Sequence, residues 1–509
     1  MSAPGSEANI SYWVREHAEK RGARTAVVDP THRLDYANLE GRVRRCAGFL
    51  ADRGIGRGDR VALVLPNSSA YLELVLGAAR LGAMAVPLNA RLTPRELGGL
   101  LQDAAPRLLV CDGERVGQLP GAWSVLGAGD YEATLAGASP RETVAPVLPE
   151  DPVILMYTSG TTGTPKGALL PHRKTLFNAR NAEIFFELSA EDRVLVVLPL
   201  FHSFGLKILA LPTLYAGGQV VLEPRFDASA VWDAVARERI TFFGGVPSMF
   251  RALLDALGDE RDRSSLRFLF TAGAAIPVEV VHAFQAHGLV LKQGFGQTET
   301  SILCCLEAKN AVRKAGSVGT PVRHAEVRLA APESLAAPPD RWEDVPPGET
   351  GEIVVRGPIL MTGYWRRPEA TAEVLRGDWL RTGDLARADE EGFITLVGRA
   401  RDMYISGGEN VYPAEVEAVY AEHPAVREIA VVGVPDAHWG EVGHAYCVPE
   451  TGAAWDEAQL RAWGAGRLAD FKLPKRFFAV DGLPRTETGK VMKHRLAPGA
   501  TSPSAETSP

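Results

Sequence analysis

The chain has 509 residues, 46% of them hydrophobic and 23% charged, with a formal net charge of −7. That length exceeds what one hydrophobic core supports, so two or more domains are expected. The acidic balance argues against a nucleic-acid binder, which needs clustered Lys and Arg; five scattered cysteines (Cys46, Cys111, Cys304, Cys305, Cys447) make neither a disulfide framework nor a zinc pattern and fit a reducing, cytoplasmic setting.

Met1 to Lys20 is polar and lacks the apolar core of a signal segment. No uninterrupted apolar run approaches the length of a membrane span. Residues 24–111 alternate short apolar runs with helical patterns: Val61–Leu65 reads as a strand and Ala70–Leu81 as a helix, the signature of βα units with parallel strands. Residues 112–150, rich in Gly, Ala and Pro, read as a connecting region. Val153–Met156 is apolar and short enough for a buried strand, and His172–Phe186 has helical composition. From 193 to 293 the alternation is clearest, with candidate strands Val194–Leu198, Val220–Leu222, Thr241–Phe243, Phe268–Thr271 and Val290–Lys292. The pattern predicts an α/β protein with a doubly wound sheet, in which ligands bind beyond the carboxyl ends of the strands. Residues 331–350 read as an exposed loop, Glu352–Arg356 as a strand and Ala414–Tyr420 as a helix. The Pro/Ser/Thr/Ala-rich residues 497–509 are expected to be disordered.

Between the strand at 153–156 and the helix at 172–186 lies Tyr157-Thr158-Ser159-Gly160-Thr161-Thr162-Gly163-Thr164-Pro165-Lys166-Gly167. Its glycines let backbone N–H groups turn toward an anion, and the hydroxyls and Lys166 add donors, so a polyphosphate is the expected guest. The common nucleotide pattern G-x-x-x-x-G-K-[ST] does not fit, because Lys166 follows Pro165. Further on, Gln293-Gly294-Phe295-Gly296-Gln297-Thr298-Glu299 offers a ring for stacking, a hydroxyl for phosphate and one hard oxygen ligand; Mg²⁺ needs few carboxylates when phosphate and water complete its shell. Thr-Glu alone is also what a helix cap looks like. Asp384, expected at a strand end in Arg381-Thr382-Gly383-Asp384, offers two acceptors for ribose hydroxyls, although an ordinary Gly-Asp turn reads the same.

These motifs together resemble the adenylate-forming superfamily of acyl-CoA synthetases, aryl-CoA ligases and adenylation domains, over roughly residues 10–496. The resemblance implies a large N-terminal domain with doubly wound mixed sheets plus a β-barrel-like part (1–401), and a small mobile α+β C-terminal domain (402–496) that rotates about a hinge at Asp402. It assigns ATP to Thr158, Ser159, Gly160, Thr161, Thr162, Gly163, Thr164 and Lys166, to Ala272-Gly273-Ala274 (with Ala272 where the family usually has Gly), to Gly294, Phe295, Gly296, Gln297 and Thr298, and to Asp384, Arg399 and Lys490. Glu299 is then the Mg²⁺ ligand, and Gly407 and Gly408 border a CoA tunnel, unless they form only a structural turn. The acid pocket falls to His202, Phe204, Lys207, Val246, Ala274, Gly294 and Ser301, with His202 otherwise a structural residue. Lys207 departs from the apolar or neutral residue usual there; it either reaches out of the pocket or meets a second negative or polar group on the acid.

The implied activity is ATP-dependent activation of a carboxylic acid as acyl-adenylate, with release of pyrophosphate and transfer to CoA; Lys490, Lys166, Thr298, Glu299 and His202 carry the chemistry. ATP, Mg²⁺ and CoA are the expected cofactor and co-substrates. The alternatives are loading of an acyl carrier protein, or activation of a small inorganic acid such as nitrite for diazotisation of an aryl amine.

Overall fold

The computed structural model describes residues 8–112, 119, 125–158, 165–258, 261–274, 276–406, 409–436, 438–465, 467–486 and 489–496. Ser159, Gly160, Thr161, Thr162, Gly163, Thr164, Gly407, Gly408 and the tail from 497 lie outside these residues. The chain forms two compact units. One is the chain up to Val327 together with Val355–Leu380; the other is Arg328–Val354 with the chain from Arg381 on.

The strands of the first unit are β1 (Thr25–Val28), β2 (Arg33–Asp35), β3 (Arg60–Val64), β4 (Met84–Pro87), β5 (Leu108–Cys111), β6 (Val125–Gly127), β7 (Pro152–Thr158), β8 (Lys166–Pro171), β9 (Arg193–Val196), β10 (Gln219–Leu222), β11 (Phe242–Gly245), β12 (Phe268–Thr271), β13 (Leu291–Gln297), β14 (Ser301–Cys305) and β15 (Thr320–Pro321). One sheet runs β15-β14-β13-β12-β11-β9-β10-β1-β2, parallel from β13 to β1. Parallel strands covered on both faces read as continuous apolar runs, which is why this region was so legible. Leu195, Phe243, Leu269 and Leu291 pack against Trp232, Val235, Phe250 and Phe284. On the opposite face Phe242, Phe268 and Phe270 gather around Phe186, with ring centroids 4.8–5.8 Å from it. A second sheet, β8-β7-β4-β3-β5-β6, packs Ala62, Val64, Val86 and Leu109 against Leu97 and Leu101.

Downstream strands are β16 (Glu326–Ala330), β17 (Gly351–Arg356), the short β18 (Gly363–Tyr364) and β19 (Leu375–Arg376), β20 (Trp379–Ala388) and β21 (Ile394–Arg399). β18 extends the second sheet by pairing with β8. β16, β17, β20 and β21 belong to a half-barrel sheet. The C-terminal α+β part holds β22 (Tyr404–Ser406), β23 (Glu409–Val411), β24 (Val426–Asp436), β25 (Gly440–Pro449) and β26 (Arg476–Ala479), packed with the helices Pro413–Ala421 and Glu457–Gly464 around Tyr420, Val431 and Phe477.

Several expectations need correction. The phosphate loop does not run from strand to helix: β7 and β8 are antiparallel partners, Thr158 opposite Lys166, and the helix His172–Phe186 follows β8. β13 does not stop at Lys292 but continues through Gln297 into a hairpin with β14. Residues 112–150 include β6 and the helix Tyr131–Gly137. Residues 331–350 contain two short 3₁₀ turns that bury Leu335 and Trp342. Asp384 lies within β20, not at its end. Among the described residues no helix is long and apolar enough to cross a membrane, and all five cysteines are free and buried.

Candidate active site

The β13–β14 hairpin carries Thr298, Glu299 and Thr300 in a three-residue loop between the paired Gln297 and Ser301. Such a loop closes when the residue after it takes a left-handed backbone; here Ser301 does so, with φ 65°. Thr300 Oγ1 accepts the Gln297 N–H (3.1 Å). Gly296 is required: a Cβ there would stand 2.0 Å from the Ser301 carbonyl oxygen.

Glu299 is half-buried and held at two points. Its carbonyl accepts the Met361 N–H (2.8 Å), and its Oε1 accepts the Tyr364 hydroxyl (2.8 Å). Tyr364 is placed by β18, which pairs with β8 so that Tyr364 stands opposite Ala168. The Trp365 N–H donates to Gly167 O (2.7 Å), locking that segment beside the start of β8. Lys166 Nζ lies 5.4 Å from the Tyr364 ring centroid, a cation–π distance. Lys166, Tyr364 and Glu299 thus converge. Thr158 Oγ1 donates to Lys166 O (3.3 Å) at the base of the loop whose tip falls outside the described residues. Glu299 keeps one oxygen free of Tyr364, which fits an ion that takes a single protein carboxylate plus phosphate and water oxygens. Among the described residues no group of three His, Cys, Asp or Glu could hold a metal by itself.

The predicted acid-pocket residues lie around the carboxyl ends of β9, β11 and β12. Leu198 and Leu200 are anchored by Asn67, whose Nδ2 donates to Leu198 O (3.0 Å) and whose Oδ1 accepts the Leu200 N–H (2.8 Å). His202 and Phe204 follow, and Phe204 opens a π-helical turn, Phe204–Ala210. Phe204 meets Phe270 edge to face, centroids 5.7 Å apart. A Cβ at Gly294 would stand 2.7 Å from the Phe270 ring, and one at Gly244 3.1 Å from the Phe204 ring. Val246 sits at the start of the helix Pro247–Asp255, with Gly273 (φ 91°) beside it, 3.9 Å from Val246 Cγ1 to a Cβ placed there; Ala272 is buried and Ala274 exposed.

Lys207 does not reach out to solvent. It is 1% exposed, and its Nζ donates to Thr175 Oγ1 (2.9 Å). Burial pushes its ammonium down to about 7. Lys174, fully buried nearby, donates to Ser301 Oγ (2.5 Å) and Ile359 O (2.8 Å), so the Ser301 hydroxyl is engaged by a lysine. Burial lowers Lys174 well below its ordinary range, Lys207 adds to that, and Glu299 opposes it.

In the other unit Asp384 and Arg399 are register partners across β20 and β21, with Arg399 Nε 2.5 Å from Asp384 Oδ1. Asp384 is 5% exposed. Arg381 makes a fork with Glu352 in the same sheet (2.8 and 3.1 Å). The Asp402 N–H donates to Arg399 O (3.0 Å). Lys490 is exposed on a turn in which the Thr486 N–H donates to Lys490 O (2.7 Å) and the Lys490 N–H to Thr486 Oγ1 (3.1 Å). The sequence reading missed Tyr364, Lys174 and Asn67; a tyrosine in Gly363-Tyr364-Trp365 was the one visible hint.

Residues 14–365 match the family model described as AMP-binding enzyme, and residues 415–490 match that of the AMP-binding enzyme C-terminal domain. Feruloyl-CoA synthase of Amycolatopsis sp is 42% identical over 490 residues, spanning 95% of this chain and 97% of its own length. Indoleacetate–CoA ligase of Aromatoleum aromaticum is 40% identical, spanning 95% and 96%. ATP-bound MatB from Rhodopseudomonas palustris has a TM-score of 0.90 at 33% identity, covering 96% of this chain and 98% of that one. The o-succinylbenzoate CoA synthetase of Bacillus subtilis, in complex with its acyl-adenylate intermediate, has a TM-score of 0.86 at 32% identity, covering 95% and 97%.

Proposed function

This chain belongs to the AMP-binding enzyme family, and from that premise we propose that the acid it activates is a short aromatic or arylalkenoic carboxylate. The reaction is ATP-dependent ligation of an acid to CoA through an acyl-adenylate, with ATP, Mg²⁺ and CoA taking part. The observation that carries the acid class is a pair of aromatic rings packed over two glycines at the strand ends. Phe270 covers Gly294, and Phe204 with Leu209 covers Gly244, so aromatic rings stand among the residues assigned to the acid pocket. The relatives named for ferulate and indoleacetate, at 42% and 40% identity, support the same class.

In this reading each residue has a physical task. The acid is ionised at pH 7, so its attack on the α-phosphorus needs no general base. What it needs is relief from bringing two anions together. Lys166 supplies positive charge where charge develops, commonly the largest contribution to catalysis, and residues 158–164 are assigned to the same phosphates. Glu299, steadied by Tyr364, would hold Mg²⁺, whose charge would offset that of the phosphates. Thr298 adds a hydroxyl to the phosphates, Phe295 and the 272–274 turn receive the adenine, and Asp384 with Arg399 takes the ribose. His202 orients the carboxylate. Lys490 is the second cation of the adenylation step. Rotation about Asp402 then exchanges it for the thiol, with Gly407 and Gly408 beside the pantetheine arm. The domain limits 1–401 and 402–496 and a cytoplasmic location belong to the same proposal.

A second reading is favoured by Lys207. Its buried amine has one hydrogen-bond acceptor among the described residues, Thr175, and a second cation, Lys174, within electrostatic reach. An acid with an additional negative or polar group, or a small anion such as nitrite, would offset that charge. A carrier protein in place of CoA is carried by no observation of its own.

The test is pyrophosphate release over benzoate, cinnamates, indoleacetate, a dicarboxylate, hexadecanoate and nitrite, each with and without CoA. CoA-dependent turnover should be fastest on the aryl acids. Preference for hexadecanoate would refute the short aromatic assignment, and nitrite-dependent AMP release with an aryl amine would favour the second reading.

A further inference from the structure

Lys174 occupies a place that opposes its charge twice over. It is the third residue of the helix His172–Phe186, whose first turn holds His172, Arg173 and Lys174 and no acid. The N-terminal end of a helix is its positive end, so a cation there is disfavoured. Lys174 is also fully buried, and an ammonium taken out of water needs compensation from its surroundings.

That compensation comes from the segments around Glu299. Lys174 Nζ donates to Ser301 Oγ, two residues after Glu299, in the left-handed position that closes the 298–300 loop. The same Nζ donates to Ile359 O, at the head of the segment whose Met361 N–H binds the Glu299 carbonyl and whose Tyr364 hydroxyl binds Glu299 Oε1. One side-chain nitrogen therefore pins both segments that locate the Glu299 carboxylate. Among the described residues Glu299 is the carboxylate that acts on it electrostatically, while Lys207 and Arg173 act on it as like charges.

We propose that Lys174 is a positioning residue, which clamps the Ser301 end of the hairpin loop to the Ile359 segment and so fixes the Glu299 carboxylate where metal-bound nucleotide meets it. The inference rests on the reading of Glu299 as the metal ligand. It assigns Lys174 no contact with substrate; its effect passes through Ser301 and Ile359.

The experiment compares Lys174→Met, Lys174→Arg, Ser301→Gly and Glu299→Gln with the unaltered full chain. Thermal melting, calorimetric binding of ATP with and without Mg²⁺, and the Mg²⁺ concentration for half-maximal pyrophosphate release are measured for each. Ser301→Gly keeps the left-handed turn and removes the hydroxymethyl side chain, and with it the acceptor for Lys174. Lys174→Met is expected to bind metal-free ATP as the unaltered chain does, to lose about tenfold or more of the affinity that Mg²⁺ adds, and to need about tenfold more Mg²⁺; Lys174→Arg should recover part of both. If Lys174→Met fails to fold, Ser301→Gly carries the decision, with a smaller shift in the same direction expected. Unchanged Mg²⁺ dependence in folded Lys174→Met, or in Ser301→Gly where Met does not fold, overturns the proposal while a shifted Glu299→Gln leaves the metal reading standing. If Glu299→Gln itself shows no shift, the metal reading falls, and with it the basis of the clamp.

Discussion

Tyr364 donates its hydroxyl to Glu299 Oε1 at 2.8 Å while its ring lies 5.4 Å from Lys166 Nζ, so one side chain touches both charges of the candidate phosphate site. Tyr364→Phe keeps the ring and removes the donor. A hydrogen bond to a charged group contributes roughly 1.5–3 kcal/mol, so kcat/KM for MgATP should fall about 10- to 100-fold with little change in melting temperature. Tyr364→Leu should lose a further factor of about 2–5 from the cation–π contact. Steady-state kinetics with varied MgATP checks both, and equal values for Tyr364→Phe and the unaltered chain would remove Tyr364 from the site.

Asp384 and Arg399 neutralise one another across β20 and β21, and Asp384 is nearly buried. In Asp384→Asn the shape is kept and the charge lost. If Asp384 takes the ribose, ATP and AMP should both bind more weakly, by about 10- to 100-fold. Inorganic pyrophosphate, which has no ribose, should bind unchanged. Calorimetry on the three ligands separates loss of ribose recognition from general damage to the sheet.

Lys490 is exposed on its turn, so truncating it should leave the fold intact. Lys490→Ala is expected to slow adenylation by about 10²–10³, the effect of losing one preorganised charge-stabilising donor. Thioester formation from a supplied acyl-adenylate should persist. Rapid-quench assays of the two half-reactions decide the matter, and equal loss in both would mean that Lys490 serves no separate step.

The parts of the fold that were readable in advance are those whose cause is local. Phe268–Thr271 and Val153–Met156 are apolar because both faces of their sheets are covered, and the helix Ser69–Arg80, buried on nearly every side, is apolar nearly all round for the same reason. The parts that were not readable have distant causes. Gly294 and Gly296 look like loop glycines, yet they continue β13 by pairing with Cys305 and Ile302, at positions where the Phe270 ring and the Ser301 carbonyl leave no room for a side chain. β8 hides in Lys166–Pro171 behind a glycine and a proline that usually mark turns. Tyr364 meets Glu299 across 65 positions, and Lys174 meets Ser301 across 127. Nothing beside Lys174 in the chain distinguishes it from a solvated helical lysine. The site motifs were legible through their resemblance to a family, and the second set of residues that supports them was not.

Lys207 supplies a pH test of the buried cations. Its folded-state value lies near 7 and its ordinary value near 10.5, with burial as the cause. Between those two pH values the unfolded chain holds the proton and the folded chain does not. Unfolding is therefore favoured progressively as pH falls from about 10.5 to about 7, and the penalty is constant below that. Lys207→Met should then raise stability most at pH 7 and below, by up to about 5 kcal/mol if no other contact is lost, and the gain should shrink toward zero near pH 10.5. Denaturant midpoints of the two proteins across pH 6–10 measure this directly. The same charge logic reaches the substrate. An acid whose second negative group approaches Lys207 would draw a proton onto the amine, so its binding at pH 8 should be accompanied by proton uptake, seen as a calorimetric enthalpy that changes with the ionisation heat of the buffer. Benzoate, with no second charge, should show none. A stability gain in Lys207→Met that ignores pH would mean that the amine is not held near 7. Equal proton uptake with both acids would place the titrating group elsewhere.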